Sequence, residues 1–226
     1  MIGFEYNDVY FDLINRKKRY LVLCGGSNSG KSVFVAQKLL TRIAQAQYEG
    51  RRHGFLCLRQ SGTYARVSIF QLFLELIRDY EIPCKINETN MKITFPGGSF
   101  ILCKGLDEIQ KLKSIVGITG IWLEEAIEFT KDEFLELDRR VRGVGNTYVQ
   151  IILSFNPNIY IHWIRDLFFS GENEYNNDRT SQVLTTTIDD NKFANKEDFE
   201  ALNRLEVEDY GLYQVYRKGL WTVLKG

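Results

Sequence analysis

The sequence predicts an α/β fold: a mainly parallel central sheet flanked by helices, with a β-hairpin added at its edge. Three observations predict it. Short apolar runs alternate with segments whose apolar residues recur at helical spacing, the pattern of a sheet built through crossover helices. A glycine-rich turn, "GGSNSGKS", joins the first such run to the first helical segment. "MKITFPGGSFILCKG" then sets two alternating runs around Pro96, Gly97 and Gly98, a hairpin signal. The 226 residues suffice for one large α/β domain, or one domain with an appendage, and 44% apolar with 13% aromatic content supports a packed core.

The elements follow in order. Residues 1–18 are mixed and aromatic (Phe4, Tyr6, Tyr10, Phe11), and "RYLVLC" is a buried-strand run feeding the glycines. From Lys31 to about Gln47, Val35, Leu39, Leu40 and Ile43 share one helical face, and "YEGRRHG" ends the segment. "FLCLR" is a second strand. Ile69, Leu72, Phe73, Leu76 and Ile77 mark an amphipathic helix closed off by Pro83, and the hairpin follows. A polar helix, "LDEIQKLKSI", precedes the strand "GIWLEEA". "TKDEFLELDRRVR" is a helix with Thr130 as N-cap and Glu133 as its capping-box partner. "YVQIILSFNP" is a strand and "IYIHWIRDLFF" a helix; a polar loop, the strand "QVLTTTI" and a helical region from about Lys196 to Lys218 complete the chain.

Charge and cysteine usage narrow the function classes. Twenty-nine basic and 29 acidic residues cancel, so any nucleic-acid contact is a local patch rather than a global field. Cys24, Cys57, Cys84 and Cys103 form no C-x-x-C pair and read as thiols of a reducing compartment. No apolar run approaches the ~20 residues that span a bilayer, and no signal peptide precedes the first strand. The expectation is a soluble, intracellular protein.

The chemistry sits in three motifs. Gly25-x4-Gly30-Lys31-Ser32 is a complete P-loop, with Gly26, Ser27, Asn28 and Ser29 between the framing glycines. Its backbone N–H groups and the following helix N-terminus would cradle phosphate, Lys31 would reach the β- and γ-phosphates, and Ser32 would ligand Mg²⁺. "GIWLEEA" places Glu124 and Glu125 at a strand's end, where a P-loop site needs a carboxylate. Glu124 is read as the metal-holding acid and Glu125 as the base that orients and deprotonates the attacking water. "ILSFNP" ends a third strand with Ser154 and Asn156, which would sense the γ-phosphate and relay its loss. "NKED", Asn195 to Asp198, fits a guanine-reading motif but follows a polar stretch, so it reads as a helix start. His53 and His162 are isolated, and Trp122 and Trp163 read as packing residues.

"RYLVLCGGSNSGKS", "GLDEIQKLKSIVGITGIWLEEAIEFTKDEFLELDRRVRG", "IILSFNP", "TTTIDDNKF" and "YRKGLW" occur in that order and together resemble the large subunit of tailed-phage terminase, of the type also found in prophages. The resemblance covers nearly the whole chain. It implies a P-loop NTPase of the ASCE/RecA-like kind, in a DNA-packaging motor that hydrolyses ATP with Mg²⁺ to move double-stranded DNA into a procapsid. By position, Gly25–Ser32 would be Walker A, Glu124 Walker B, Glu125 the catalytic glutamate and Ser154 to Asn156 the coupling motif. Arg19 and the aromatics before it would lie near the nucleotide base. Implied partners are portal protein and small terminase subunit, in a homo-oligomeric ring that is monomeric in isolation, within the host cytoplasm and without a membrane. The chain ends at "GLWTVLKG", about where the family's nuclease domain begins, so residues 1–226 are expected to be the ATPase domain with the nuclease absent. This P-loop holds no arginine. A neighbouring subunit's Lys113, Arg139, Arg140 or Arg142 is the expected source of a trans-acting cation, with Arg59 next as a source in cis. Two rival classes remain, a helicase-like DNA-dependent ATPase and a nucleotide-dependent assembly switch with little turnover.

Overall fold

A computed structural model describes residues 2–106, 116–141 and 147–222. One eight-stranded sheet runs through it. Its strands are β1 (Tyr20–Gly25), β2 (Gly54–Arg59), β3 (Lys85–Asn87), β4 (Lys92–Thr94), β5 (Phe100–Gly105), β6 (Gly120–Glu124), β7 (Gln150–Phe155) and β8 (Ser181–Thr186), in the spatial order β3-β4-β5-β2-β6-β7-β1-β8. The hairpin forms, with β4 antiparallel to β5. Its second strand nevertheless belongs to the parallel sheet, because β5 pairs in parallel with β2. Only β3 and β4 are antiparallel additions, and β3, three exposed residues, carries no sequence signal.

The helices lie on both faces. They are α1 (Phe11–Ile14), α2 (Lys31–Tyr48), α3 (Gly62–Ala65), α4 (Gln71–Asp79), α5 (Lys131–Arg140), α6 (Trp163–Phe168), α7 (Lys196–Glu208) and α8 (Tyr210–Leu212). Alternation along the strands decides which face each helix covers. Leu21 and Leu23 point with Trp122 and Ile152 into the core under α2 and α4; Tyr20, Val22 and Cys24 point with Leu123 and Leu153 into the core under α5 and α6. Trp122, fully buried, meets Phe73 edge-on at 6.1 Å, and truncating it to alanine costs about 3–5 kcal/mol of stability. Trp163 stacks on Phe134 at 4.8 Å, so both tryptophans are packing residues.

Local sequence explains the helix boundaries. Thr130 Oγ1 accepts from the Glu133 amide while the Glu133 carboxylate accepts from the Thr130 amide, the expected capping box. Lys38, fully buried on α2, donates to the carbonyls of Leu13 (2.7 Å), Ile14 (2.8 Å) and Arg16 (3.2 Å), which satisfies the end of α1. The amphipathic segment of Ile69 to Ile77 starts earlier than its apolar stripe, at Gly62, and passes through a π-helical turn, Arg66–Phe70, before α4. The helical region after Lys196 likewise ends in a π turn, Tyr213–Arg217. Apart from Leu106, the polar helix expected over residues 106–115 lies outside the described residues. His53 is buried with Nδ1 2.7 Å from Thr119 Oγ1, and His162 caps α6. Cys24, Cys57 and Cys103 are buried free thiols, while Cys84 is half-buried. Among the described residues no helix is long and apolar enough to cross a membrane.

Register then assembles the site. β1 lies between β7 and β8, and β6 between β2 and β7. Leu23 and Glu124 both stand opposite Ser154, and Gly25 opposite Thr186, so the carboxyl ends of four parallel strands meet at one edge.

Candidate nucleotide site

The phosphate loop connects β1 to α2 at that edge. Gly30 has φ +81° and Asn28 φ +54°, left-handed values that glycine adopts freely and asparagine tolerates. Gly26 is required for a different reason. A Cβ there would lie 2.4 Å from the Tyr216 carbonyl oxygen, which already accepts from the Ser27 amide at 2.8 Å. The loop is held from several sides. Tyr10 Oη donates to the Ser29 carbonyl at 2.9 Å, Thr186 Oγ1 to Ser29 Oγ at 3.1 Å, and Asn156 Nδ2 to the Gly25 carbonyl at 2.8 Å.

Lys31 folds back on this loop, donating to the carbonyls of Gly26 (2.6 Å) and Gly25 (3.2 Å) and to Ser29 Oγ (3.1 Å). Burial pushes its pKa down to about 8, against the opposing pull of Glu125, Cys24 and Glu124. Ser32 Oγ donates to Glu124 Oε1 at 3.2 Å. Glu124 also accepts from Arg59 Nη1 at 2.9 Å and Ser68 Oγ at 3.3 Å, and it is buried.

An uninterrupted strand would send Glu124 and Glu125 to opposite faces. Glu125 instead takes φ 52°, ψ 52°, a left-handed conformation costing about 1–3 kcal/mol for a non-glycine residue, and both acids line one cavity. Burial, then the neighbouring Glu124 charge, raises the Glu125 pKa above the usual carboxylate range, while Arg59 and Lys31 pull the other way. A raised pKa suits a group that must take up a proton.

The cavity holds about 390 Å³ and brings together Ser27 to Ser32, Glu124, Glu125, Ser154 and Asn156. Ser154 points its hydroxyl at Trp122, accepting from Nε1 at 2.8 Å, so it fixes the strand end; Asn156 is the member that reaches the phosphate loop.

Arg19 does not join this site, contrary to expectation. It precedes β1, roughly 20 Å along the strand from Gly25 at about 3.3 Å per residue. Its guanidinium is spent on the Asp138 carboxylate (2.7 Å), the Asp138 carbonyl (2.7 Å) and the Val141 carbonyl (3.1 Å). Arg139 and Arg140 end α5 beside that same opposite edge and pair with Glu136, so neither reaches the cavity of its own chain. Lys113 and Arg142 lie outside the described residues.

Arg59, expected as a source of the cation in cis, stands at the end of β2 and forks onto Glu124 and Glu128. Sequence reasoning missed several other residues. Ser68 enters from the π turn. Asn191, Phe193, Ala194 and Asp198 also line the cavity. "NKED" is a helix start, since Asn195 and Asp198 make the capping box of α7. Asp198 Oδ1 nevertheless accepts from Asn28 Nδ2 at 3.0 Å, which sets that helix start against the phosphate loop.

The site residues suit Mg²⁺, a hard cation that takes oxygen ligands and keeps several waters: a hydroxyl, Ser32, and a carboxylate, Glu124, lie within hydrogen-bond distance beside the phosphate loop.

A family model described as phage terminase large subunit matches residues 17–220. The PBSX phage terminase large subunit of Bacillus subtilis (strain 168) is 29% identical over 240 residues, spanning 99% of this chain and 54% of that protein. Among solved structures, the large terminase of a thermophilic bacteriophage has a TM-score of 0.81 at 16% identity, covering 99% of this chain and 55% of that one. In complex with ATP-gamma-S the same protein gives 0.77 at 17%, covering 97% and 53%. The large terminase ATPase domain of Thermus phage P74-26 gives 0.68 at 14%, covering 98% and 96%. The chain thus spans about half the length of the PBSX protein. The structural likenesses establish the fold, a mostly parallel sheet flanked by helices as in large terminase ATPase domains. With that fold, and with the family match running through nearly all its length, this chain belongs to the phage terminase large subunit family.

Proposed function

We propose that this chain hydrolyses ATP with Mg²⁺ and that the hydrolysis drives double-stranded DNA into a procapsid. The observation that carries the reading is the contact of Ser32 with Glu124 at 3.2 Å, with Glu125 beside them on the same cavity. Residues 1–226 act as the ATPase part of a large subunit. The large terminase of the thermophilic bacteriophage binds both ADP and ATP-gamma-S on the same fold, which supports the assignment of the ligand.

The geometry supports a role for each residue. Backbone N–H groups of residues 28–32 and the N-terminus of the 18-residue α2 receive the phosphates. Lys31 leaves its loop carbonyls to pair with phosphate charge. Ser32 and Glu124 hold Mg²⁺, which when bound neutralises phosphate charge. Glu125 orients a water and takes its proton. Asn156, tied to Gly25 at 2.8 Å, passes a change in the loop to the end of β7. Arg59 is the cation that the fold itself delivers to the carboxylates.

In the assembled motor the partners are double-stranded DNA, portal protein and small terminase subunit, with copies of the chain arranged as a ring in the host cytoplasm. The test is phosphate release from ATP by the purified chain, with and without Mg²⁺, followed by DNA protection in a procapsid assay using the full large subunit. Absence of Mg²⁺-dependent phosphate release from both the chain and the full subunit overturns the reading.

A further inference from the structure

We propose that Phe193 is the platform on which the purine base of the bound nucleotide stacks, forming a base subsite on the cavity wall beside Asn191 and Asp198. The proposal rests on the nucleotide reading above and assigns the part of the ligand that the phosphate loop does not hold. The cavity wall meets the loop at two different places: Glu124 touches Ser32, whereas Asn191 and Asp198 touch Asn28, with Phe193 beside Asn191 in the chain. A triphosphate laid along the loop with its terminal group at the carboxylates directs its ribose and base to the second of these places.

That part of the wall is built for an aromatic ring rather than for hydrogen bonds. Asn191 spends its amide on the Asn28 carbonyl (2.7 Å) and its oxygen on Asn7 Nδ2 (3.0 Å) and the Phe193 amide (3.1 Å). Asp198 accepts from Asn28 Nδ2 and from the Asn195 amide. With these groups paired, what remains for a base is apolar surface. Phe193 is 54% exposed and Val33, two residues after Lys31, is 42% exposed; they are the large apolar side chains with open surface on the cavity wall. The same hydrogen bonds fix the Phe193 backbone against the phosphate loop, so the residue that carries the ring is placed before any ligand arrives. Lys192 approaches the ring at 5.4 Å but is not a cavity residue. Its ammonium is held by Asp8 Oδ1 at 3.2 Å, on the outside. The ring's cavity side is thereby left to the base.

The test compares a probe with a base and one without, by titration calorimetry at fixed Mg²⁺. Phe193→Ala should weaken ADP binding about ten-fold, within the roughly 5- to 150-fold range of one base–aromatic stack, and leave inorganic tripolyphosphate binding unchanged. Phe193→Tyr should restore ADP binding. Unchanged ADP affinity in Phe193→Ala overturns the proposal, and so does an equal loss for both probes, which would mean the loop itself had shifted. Failure of the unsubstituted chain to bind either probe would instead overturn the nucleotide reading beneath it.

Discussion

Arg59 Nη1 lies 2.9 Å from Glu124 Oε2, across the ends of the neighbouring strands β2 and β6, and its other nitrogen reaches Glu128 at 3.1 Å. The pair places a permanent cation beside the carboxylate proposed to hold the metal, in a site whose phosphate loop has no arginine. Its side chain is only 13% exposed, so its charge is weakly screened. Arg59→Ala should lower kcat by about 10³, the lower end of what a transition-state arginine contributes in related NTPases. Arg59→Lys should recover part of kcat, and turnover per chain should be independent of protein concentration. A rate that climbs with concentration, with a Glu125→Gln chain rescuing Arg59→Ala in mixtures, would move the cation to a neighbouring subunit and return Arg139 and Arg140 to consideration.

Lys31 and Glu125 should separate binding from chemistry. Lys31 pairs with phosphate charge in the ground state, whereas Glu125 acts only as water is activated. Calorimetry should find ATP binding lost in Lys31→Ala and retained in Glu125→Gln, with turnover of the latter down by about 10² or more. Because the Glu125 pKa is raised, the wild-type rate should fall as pH drops through a value above the usual carboxylate range. ATP binding lost in Glu125→Gln would shift the metal-holding role from Glu124 to Glu125.

Nucleotide binding should be linked to a proton at Lys31. Burial holds its pKa near 8 in the free chain, and phosphate charge favours the ammonium form, so binding raises that pKa. Below pH 8 the lysine is already charged and takes up nothing. Above it, ATP binding should weaken with rising pH and take up as much as about one proton. Calorimetry at pH 9 in buffers of different ionisation enthalpy measures this uptake. Lys31→Arg, charged throughout, should flatten the dependence if it binds at all; proton release on binding by the unsubstituted chain would contradict the argument.

Lys38 should matter to stability and not to chemistry. Its three buried hydrogen bonds close the end of α1, and Lys38→Met leaves three carbonyls without their donor, costing about 3 kcal/mol. Urea unfolding should show a lower midpoint with an unchanged slope, while ADP affinity at low temperature stays within about two-fold of the parent. An unshifted midpoint would mean that water replaces the ammonium there.

What could be read from the sequence was what sequence-local physics decides. The strand, glycine turn and helix around Lys31 are contiguous, as are the adjacent acids Glu124 and Glu125 and the capping box of Thr130 with Glu133. The contacts that the sequence does not show form only through folding. Asn28 meets Asn191 and Asp198 across 163 and 170 residues, and Arg59 meets Glu124 across 65. The resemblance puts Arg19 near the base, but Arg19 precedes β1 and so stands at the end of that strand away from the phosphate loop. The short strand β3 has three exposed residues and no apolar face to betray it. The left-handed turn at Glu125 is set by the surrounding packing, since glutamate has no preference for it.

The placement of β1 between β7 and β8 has a consequence for the order of biosynthesis. The ribosome makes the phosphate-loop strand first, yet the Asn156 that braces it lies 131 residues further on, and β8 later still. Until then "YLVLCG" is an apolar strand with two open edges, the kind of segment that recruits chaperones or pairs wrongly. β2, β4 and β5 lie close together in sequence and can condense early. The nascent chain therefore gains nothing from ambient nucleotide for most of its synthesis, and ligand stabilises only the last step, when β7 and β8 close around the loop.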